Sequence, residues 1–464
     1  KTQREVRMKE LFRLIPQVSS ILESDDFKKE YGHFDQRITS SLIREALDSV
    51  REKITSGEAL DEPQVKKLVE STLKKKLFPL IGRSLIRVIN ATGIVLHTNL
   101  GRAPMLPNPY LASLLEGYCN LEYDLAEGKR GKRGIHVKSV IKMLLGAEST
   151  VVVNNNAAAI LLLLRTHAEG KEVIVSRGEL IELGGSFRLP EVMTASGAML
   201  HEVGTTNRTH LKDYAGAINE KTGLILKVHP SNYAIRGFTS SPSTAELSAL
   251  AKEKDVPFVY DVGSGLLRKI DHPNFREEPD CLSALNDGAD AILFSGDKIL
   301  GGTQAGFIVG SEKIAGACGK IPLMRSLRLA KAHMCILEEA LRTWLLPDRE
   351  VMKLNPVMRM ISMMPEELEA RANALSEGIN KVNPAIKSFV KKVEGYMGGG
   401  SLPDINFDSY AVAIKPKETP QLLLQKLRNF ETPIVARIED DLVLFDMRTI
   451  LDGEGEKITR ALAQ

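Results

Sequence analysis

One rhythm constrains this chain more than any other feature. "STVVVNN" runs into "AAAILLLLRTHAEG" and then "KEVIVSRGE", and later "TGLILKVHPS" runs into "STAELSALAKEKD" and then "VPFVYDVGSG". Short β-branched runs alternate with segments of helical period, the βαβ pattern of a parallel sheet covered by helices. The runs are apolar at successive positions, as strands buried on both faces are. The rhythm begins at "RVINATG" (Arg87 to Gly93) and predicts a large α/β domain over residues 85–335.

The flanks read differently. Residues 1–84 are charged and helical: "VRMKELFRLIPQVSSILES" is broken at Pro16, and "DEPQVKKLVESTLKKKLFPLIG" repeats the helical period. They predict a helical N-terminal domain. From residue 336 a helical stretch, a second segment around "NPVMRMISMMPEELEARANAL" and the break "YMGGGSLPD" lead into strand-helix alternation. That predicts a small C-terminal α+β domain over 336–464. Three domains suit 464 residues, too many for one ordinary core.

Composition excludes a few classes. No apolar run approaches the roughly 20 residues of a membrane span, and the opening "KTQREVRMKELF" has no apolar signal core, so a cytoplasmic protein is expected. Cys119, Cys281, Cys318 and Cys335 are scattered, with no CxxC and no neighbouring histidine cluster, so no metal site is expected. A net charge of +3 neither requires nor excludes a nucleic-acid partner.

In an open α/β sheet, ligands gather at the carboxyl ends of strands, and three such ends here carry unusual residues. "VVVNNNAAA" places Asn154, Asn155 and Asn156 before an alanine-rich helix, either as a plain N-cap or as an anion site on the helix N-terminus. Asp261 ends the run "VYDVGSG"; a buried carboxylate there is either structural or faces a cation. Lys298 follows "AILFS" within "FSGDKILGGTQAG", where partial desolvation would make its amine a nucleophile toward an aldehyde. An anion site, a carboxylate and a reactive lysine are what pyridoxal phosphate needs from a protein. Arg102, Arg130, Arg133, Arg325 and Arg328 lie in expected loops, with Arg325, Arg328 and Lys331 at i, i+3, i+6 as if on one helical face. Such arginines suit oxyanions, or plain surface ion pairs.

With those residues the chain resembles the bacterial selenocysteine synthase family, the L-seryl-tRNA(Sec) selenium transferases. The segments carrying the resemblance include "RVINATGIVLHTNLGRAP", "NLEYDLAEGKRGKR", "SRGELIELGGSFRLP", "EVGTTNRT", "KVHPSNY", "SGDKILGG", "GGGSLPD" and "IEDDLVLFDMRT". The resemblance implies a fold-type I pyridoxal-phosphate transferase, α/β, with a helical tRNA-binding N-terminal domain. It implies conversion of seryl-tRNA(Sec) to selenocysteinyl-tRNA(Sec) through a cofactor-bound aminoacrylyl group, with selenophosphate as donor, in a homo-oligomer built as a ring of dimers.

It further implies site roles. Lys298 would hold the cofactor as a Schiff base and Asp261 would face the pyridine nitrogen. Asn155, Asn156, Ala157 and Ser295 would lie near the phosphate, His229 beside the ring, and Gly302 at the cofactor. Asp297 would assist elimination. Arg102, Arg133, Arg325 and Arg328 would bind substrate. The chain departs from the family's habit at Lys132, Thr303 and Ala330, where a serine, a proline and an aspartate are usual. Those departures leave two alternatives: a related lyase acting on a free amino acid or amino sugar, and a tRNA-binding paralogue without catalysis.

Overall fold

The structure, a computed structural model, describes residues 2–56, 60–180, 182–183, 187–231, 233–402 and 406–463. The chain divides into two compact units, Lys1–Arg87 and Val88–Gln464.

The first unit contains helices α1 (Thr2–Arg13), α2 (Val18–Glu23), α3 (Asp25–Tyr31), α4 (Gln36–Thr55) and α5 (Glu62–Ile81). The chain leaves α1 before Pro16, as proline's missing N–H and fixed φ dictate. Asp61 and Gln64 close a capping box at the start of α5. Ile43, Leu47, Val50 and Ile54 form one face of α4 and share a core with Val65, Val69 and Leu77 of α5.

The second unit opens with a short strand, β1 (Ile89–Ala91). The larger sheet is built from β2 (Ser149–Val153), β3 (Glu172–Ser176), β4 (Met199–Val203), β5 (Thr222–Val228), β6 (Phe258–Gly263), β7 (Ala291–Ser295) and β8 (Gly306–Gly310). They form one sheet in the order β2-β8-β7-β6-β5-β3-β4. All neighbours are parallel except β8, which runs antiparallel to both β7 and β2. Side chains alternate across the sheet with the two-residue strand period. Val151, Val153, Leu293 and Ile308 join one core with helix α6 (Asn156–His167), and Val152, Ile292, Phe294 and Phe307 join the other. Phe294 and Phe307, opposite each other in register, stack at 4.6 Å between centroids.

The last strands, β9 (Ser388–Tyr396), β10 (Asn406–Ile414), β11 (Ile434–Glu439) and β12 (Leu442–Asp446), build a second sheet. Its order is β1-β11-β12-β10-β9, so β1 lies here, parallel to β11, although its position in the chain predicts the large sheet. Residues Ile89 and Ala91 are fully buried there against the C-terminal strands. No described helix is long and apolar enough to cross a membrane.

Candidate active site

β6 and β7 are adjacent and parallel, so their carboxyl ends bring Asp261 and the loop holding Lys298 side by side. The loop is clamped from several directions. Ile299 N donates to Ser264 O at 3.0 Å and Gly302 N to Gly296 O at 2.9 Å. Trp344 Nε1 donates to Leu300 O at 3.2 Å, and Asn355 Nδ2 donates to the carbonyls of Ile299 and Leu300, each at 3.0 Å. Trp344 is fully buried and Asn355 is 1% exposed, so the clamp is internal to the core. A Cβ on Gly302 would stand 3.0 Å from Leu337 Cδ2, which leaves little room for any side chain.

Lys298 is 5% exposed, and its Nζ donates to the carbonyl of Gly400 at 2.7 Å. Burial, assisted by the Arg102 charge, pulls its pKa below the usual lysine value, while Asp261 and Asp297 oppose that shift. Asp261 is 3% exposed, and burial pushes its carboxyl up to about 6. Asn156 Nδ2 donates to both of its oxygens, at 3.0 and 3.1 Å. The Lys298 charge and that amide work in the opposite direction to burial.

Asn155 is the N-cap of α6, with its side chain accepting from Ala158 N at 2.8 Å. The first-turn amides of Asn156 and Ala157 therefore have no helical acceptor. β8 packs closely here: a Cβ on Gly306 would stand 2.1 Å from Asn155 O, so only glycine fits. Ser295, the last residue of β7, is 8% exposed. His229 N donates to Asp261 O at 2.9 Å, and its Nε2 lies 3.7 Å from Glu278 Oε2, beyond hydrogen-bond reach.

Arg102 occupies the left-handed region, with φ 61, and its Nη1 donates to Asp297 Oδ2 at 2.7 Å. A non-glycine residue in that region carries about 1–3 kcal/mol of strain. Arg133 and Arg328 do meet, but on Glu122. Arg133 Nε donates to Glu122 Oε1 at 2.7 Å, Arg328 Nη1 lies 3.6 Å from the same oxygen, and Arg130 Nη2 lies 3.5 Å from Oε2. The Arg133 hydrogen bond holds the Glu122 carboxyl below the usual range despite partial burial. The expected single helical face through Arg325, Arg328 and Lys331 is not formed. Arg325 lies in a four-residue helix, Leu323–Ser326, that stops before Arg328; Leu329 turns inward to 4% exposure; and a new helix, α7 (Lys331–Thr343), starts at Lys331. Arg325 is exposed and stands apart from the Glu122 group.

Two features escaped the sequence reading. Glu122, from "NLEYD", gathers three arginines and has no motif of its own. Gly400 comes from "YMGGGSLPD", read as a break, yet its carbonyl caps Lys298. Gly398, Gly399 and Gly400 all have positive φ, 69, 61 and 67. A Cβ on Gly399 would stand 2.8 Å from Leu96 Cβ and 3.0 Å from Leu96 O. Gly399→Ala is therefore expected to destabilise the fold by roughly 1–3 kcal/mol and to loosen the cap on Lys298. Thermal unfolding and cofactor affinity measure both effects; unchanged values in both would contradict the close approach.

The buried atoms fit a bound cofactor. His229 Nε2, Ser264 Oγ, Ser401 Oγ and Asn156 Oδ1 are buried without a hydrogen-bond partner among the described residues. A buried carboxylate opposite a buried amine, beside free helix-terminal amides, suits a ring carrying a protonated nitrogen, an aldehyde and a phosphate. Among the described residues no cluster of three or more His, Cys, Asp or Glu is placed to hold a metal.

Comparison with known proteins points the same way. Residues 88–451 match the family model described as L-seryl-tRNA selenium transferase. A protein of Moorella thermoacetica named L-seryl-tRNA(Sec) selenium transferase is 43% identical over 461 residues, covering 98% of this chain and 97% of that protein. One of the same name from Aquifex aeolicus is 42% identical, covering 98% and 99%. Among solved structures, D-glucosaminate-6-phosphate ammonia-lyase superposes with a TM-score of 0.55 at 19% identity, covering 83% of this chain and 97% of that one, a likeness of fold alone.

Proposed function

The chain belongs to the L-seryl-tRNA selenium transferase family, and from that premise we propose how its residues convert L-seryl-tRNA(Sec) to L-selenocysteinyl-tRNA(Sec). It is a fold-type I enzyme whose cofactor is pyridoxal phosphate. The single observation that carries the site reading is the buried pair Lys298 and Asp261 on adjacent strand ends. Lys298 would anchor the cofactor's aldehyde through Nζ, Asp261 would face its ring nitrogen, and the first turn of α6 would take its phosphate. When bound, the cofactor supplies an electron sink that lets the seryl hydroxyl leave and selenium take its place.

The chain's own groups do the rest. Burial lowers the cost for the Lys298 amine of giving up its proton, and Nζ would then take the proton from the seryl Cα. Asp261 holds negative charge at the ring nitrogen. His229, the residue just past the strand that pairs with Asp261's strand, would lie against the ring. Arg102 and Asp297 neutralise each other in the structure. An anion reaching Arg102 would compete with Asp297 and free that carboxylate next to Lys298. This supports selenophosphate as the donor, with Asp297 assisting elimination. Arg133 and Arg328, held on Glu122, would serve the same anion or the aminoacyl end; the exposed Arg325 would join them only on binding.

The helical residues 1–84 would select the tRNA, with residues 85–335 carrying the cofactor and 336–464 forming the small domain. Exposed Tyr110, Leu115, Tyr118 and Leu125 support a subunit contact in a homo-oligomeric ring of dimers. The reaction would take place in the cytoplasm, where charged tRNA is used.

The test is turnover: seryl-tRNA(Sec) with selenophosphate should yield selenocysteinyl-tRNA(Sec). Release of free pyruvate or ammonia from a small amino acid, with no tRNA product, would favour the lyase. Arg102→Ala should raise KM for selenophosphate about ten- to a hundred-fold, the worth of a charge-assisted hydrogen bond, with cofactor absorbance unchanged. An unaltered KM would remove Arg102 from the donor site.

A further inference from the structure

Beyond His229 the sheet ends open into a second cavity of about 320 Å³. It lies over the carboxyl ends of β3 and β5, where Ser176 and Lys227 contribute to the wall, and two loops around Asn207 and Ser240 complete it. Serine and threonine hydroxyls are the commonest polar groups of its lining, together with the Asn207 amide. The two buried charges in its wall, Lys227 and Glu179, are already engaged. Lys227 Nζ donates to Pro242 O at 2.7 Å, and Glu179 accepts from Val228 N at 3.0 Å. The cavity therefore suits a neutral ligand rich in hydrogen-bonding groups rather than a bare anion.

The two loops are stitched together. Asn207 Nδ2 donates to Phe238 O at 2.7 Å, Ser240 N to Asn207 O at 3.1 Å, and Thr209 N to Ser240 O at 2.9 Å. Phe238, next to the lining residue Thr239, is 87% exposed on this braced loop. A lone exposed phenylalanine means little. One whose backbone is tied to the facing loop, next to a residue that lines a cavity, offers a stacking surface for a base. Arg208, also lining the cavity and exposed, offers one cation for a phosphate.

Position supplies the last constraint. β5 is two strands from β7, which leads to Lys298, so the strand ends under the cavity and the strand end leading to the amine are about 10 Å apart at the usual strand spacing. His229 lines the cavity and also adjoins Asp261, linking the two sites.

We propose that this cavity receives the 3′-terminal nucleoside of the aminoacyl-tRNA. Its base stacks on Phe238, its ribose meets the Asn, Ser and Thr side chains, and Arg208 holds the adjoining phosphate. The esterified amino acid then reaches past His229 toward Lys298. The inference rests on the seryl-tRNA reading and adds a subsite to it.

The experiment measures equilibrium binding of two tRNA(Sec) transcripts, intact and lacking the 3′-terminal adenosine, to the cofactor-loaded full-length protein and to Phe238→Ala. Wild type should prefer the intact transcript about ten-fold, the worth of one stacked base. Phe238→Ala should bind both transcripts alike, Phe238→Trp should restore the preference, and KM for seryl-tRNA should rise in Phe238→Ala with kcat and cofactor absorbance unchanged. If Phe238→Ala keeps the full preference while seryl-tRNA is still turned over, the subsite is wrong and the parent reading stands. A wild-type protein that neither binds the transcripts nor turns over seryl-tRNA overturns both.

Discussion

Lys298→Ala should lose the visible absorbance of lysine-held cofactor and cut turnover by on the order of 10⁴-fold, the upper end of what a positioned proton-transfer group contributes. The substitution removes the amine that anchors the aldehyde and the base that moves the Cα proton in one step. The fold should survive it. Lys298 Nζ makes its hydrogen bond to a single carbonyl, that of Gly400, and burial disfavours its charge. A folded Lys298→Ala protein that kept the band would show that another lysine holds the cofactor.

Asp261→Asn should separate stability from catalysis. In the cofactor-free protein, burial holds the Asp261 carboxyl up to about 6, against about 3.9 in an unfolded chain. Between those values the folded state keeps a proton that the unfolded state has lost. The stabilising contribution is therefore present below about pH 4 and is lost as the pH rises through about 6. Removing the carboxylate should make the cofactor-free protein more stable at pH 8 than wild type, by up to roughly 3 kcal/mol, with the gain shrinking toward pH 4. The new amide also has partners: Asn156 Nδ2 already points at this position, and Asn156 Oδ1 is buried without a donor among the described residues. Activity should move the other way, falling on the order of 10²-fold or more, because a neutral group no longer holds the ring nitrogen protonated. Thermal unfolding of the cofactor-free protein at several pH values, together with turnover of the loaded one, checks both directions. A cofactor-free variant less stable than wild type at pH 8 would mean that the carboxylate is held by contacts stronger than burial opposes.

The parts of the site that lay open in the sequence share one property: each sits where a strand ends. Asp261, Lys298 and Asn155 announced themselves because an apolar run stopping at a polar residue is a local signal. The buried runs likewise marked the large sheet, since both of its faces are covered. What stayed hidden depends on distant partners. Nothing local tells that β8 reverses direction, because its residues would be equally buried either way. Glu122 looks like any acidic residue until the chain folds Arg133 and Arg328 around it. The Gly400 carbonyl reaches Lys298 across 102 residues. The even spacing of Arg325, Arg328 and Lys331 suggested one helix, but the chain leaves it at Ser326, buries Leu329 and starts another at Lys331.

The pairing of β1 with β11 has a consequence for how the molecule is made. Ile89 faces Ile434, so an early segment of the second unit finds its neighbour only after nearly the whole chain has been translated. At ribosomal rates of about 5–20 residues per second, that edge waits on the order of 20–70 s as an unpaired apolar strand. The nascent chain during that interval is the form most exposed to wrong pairing, and the form for which chaperones should compete.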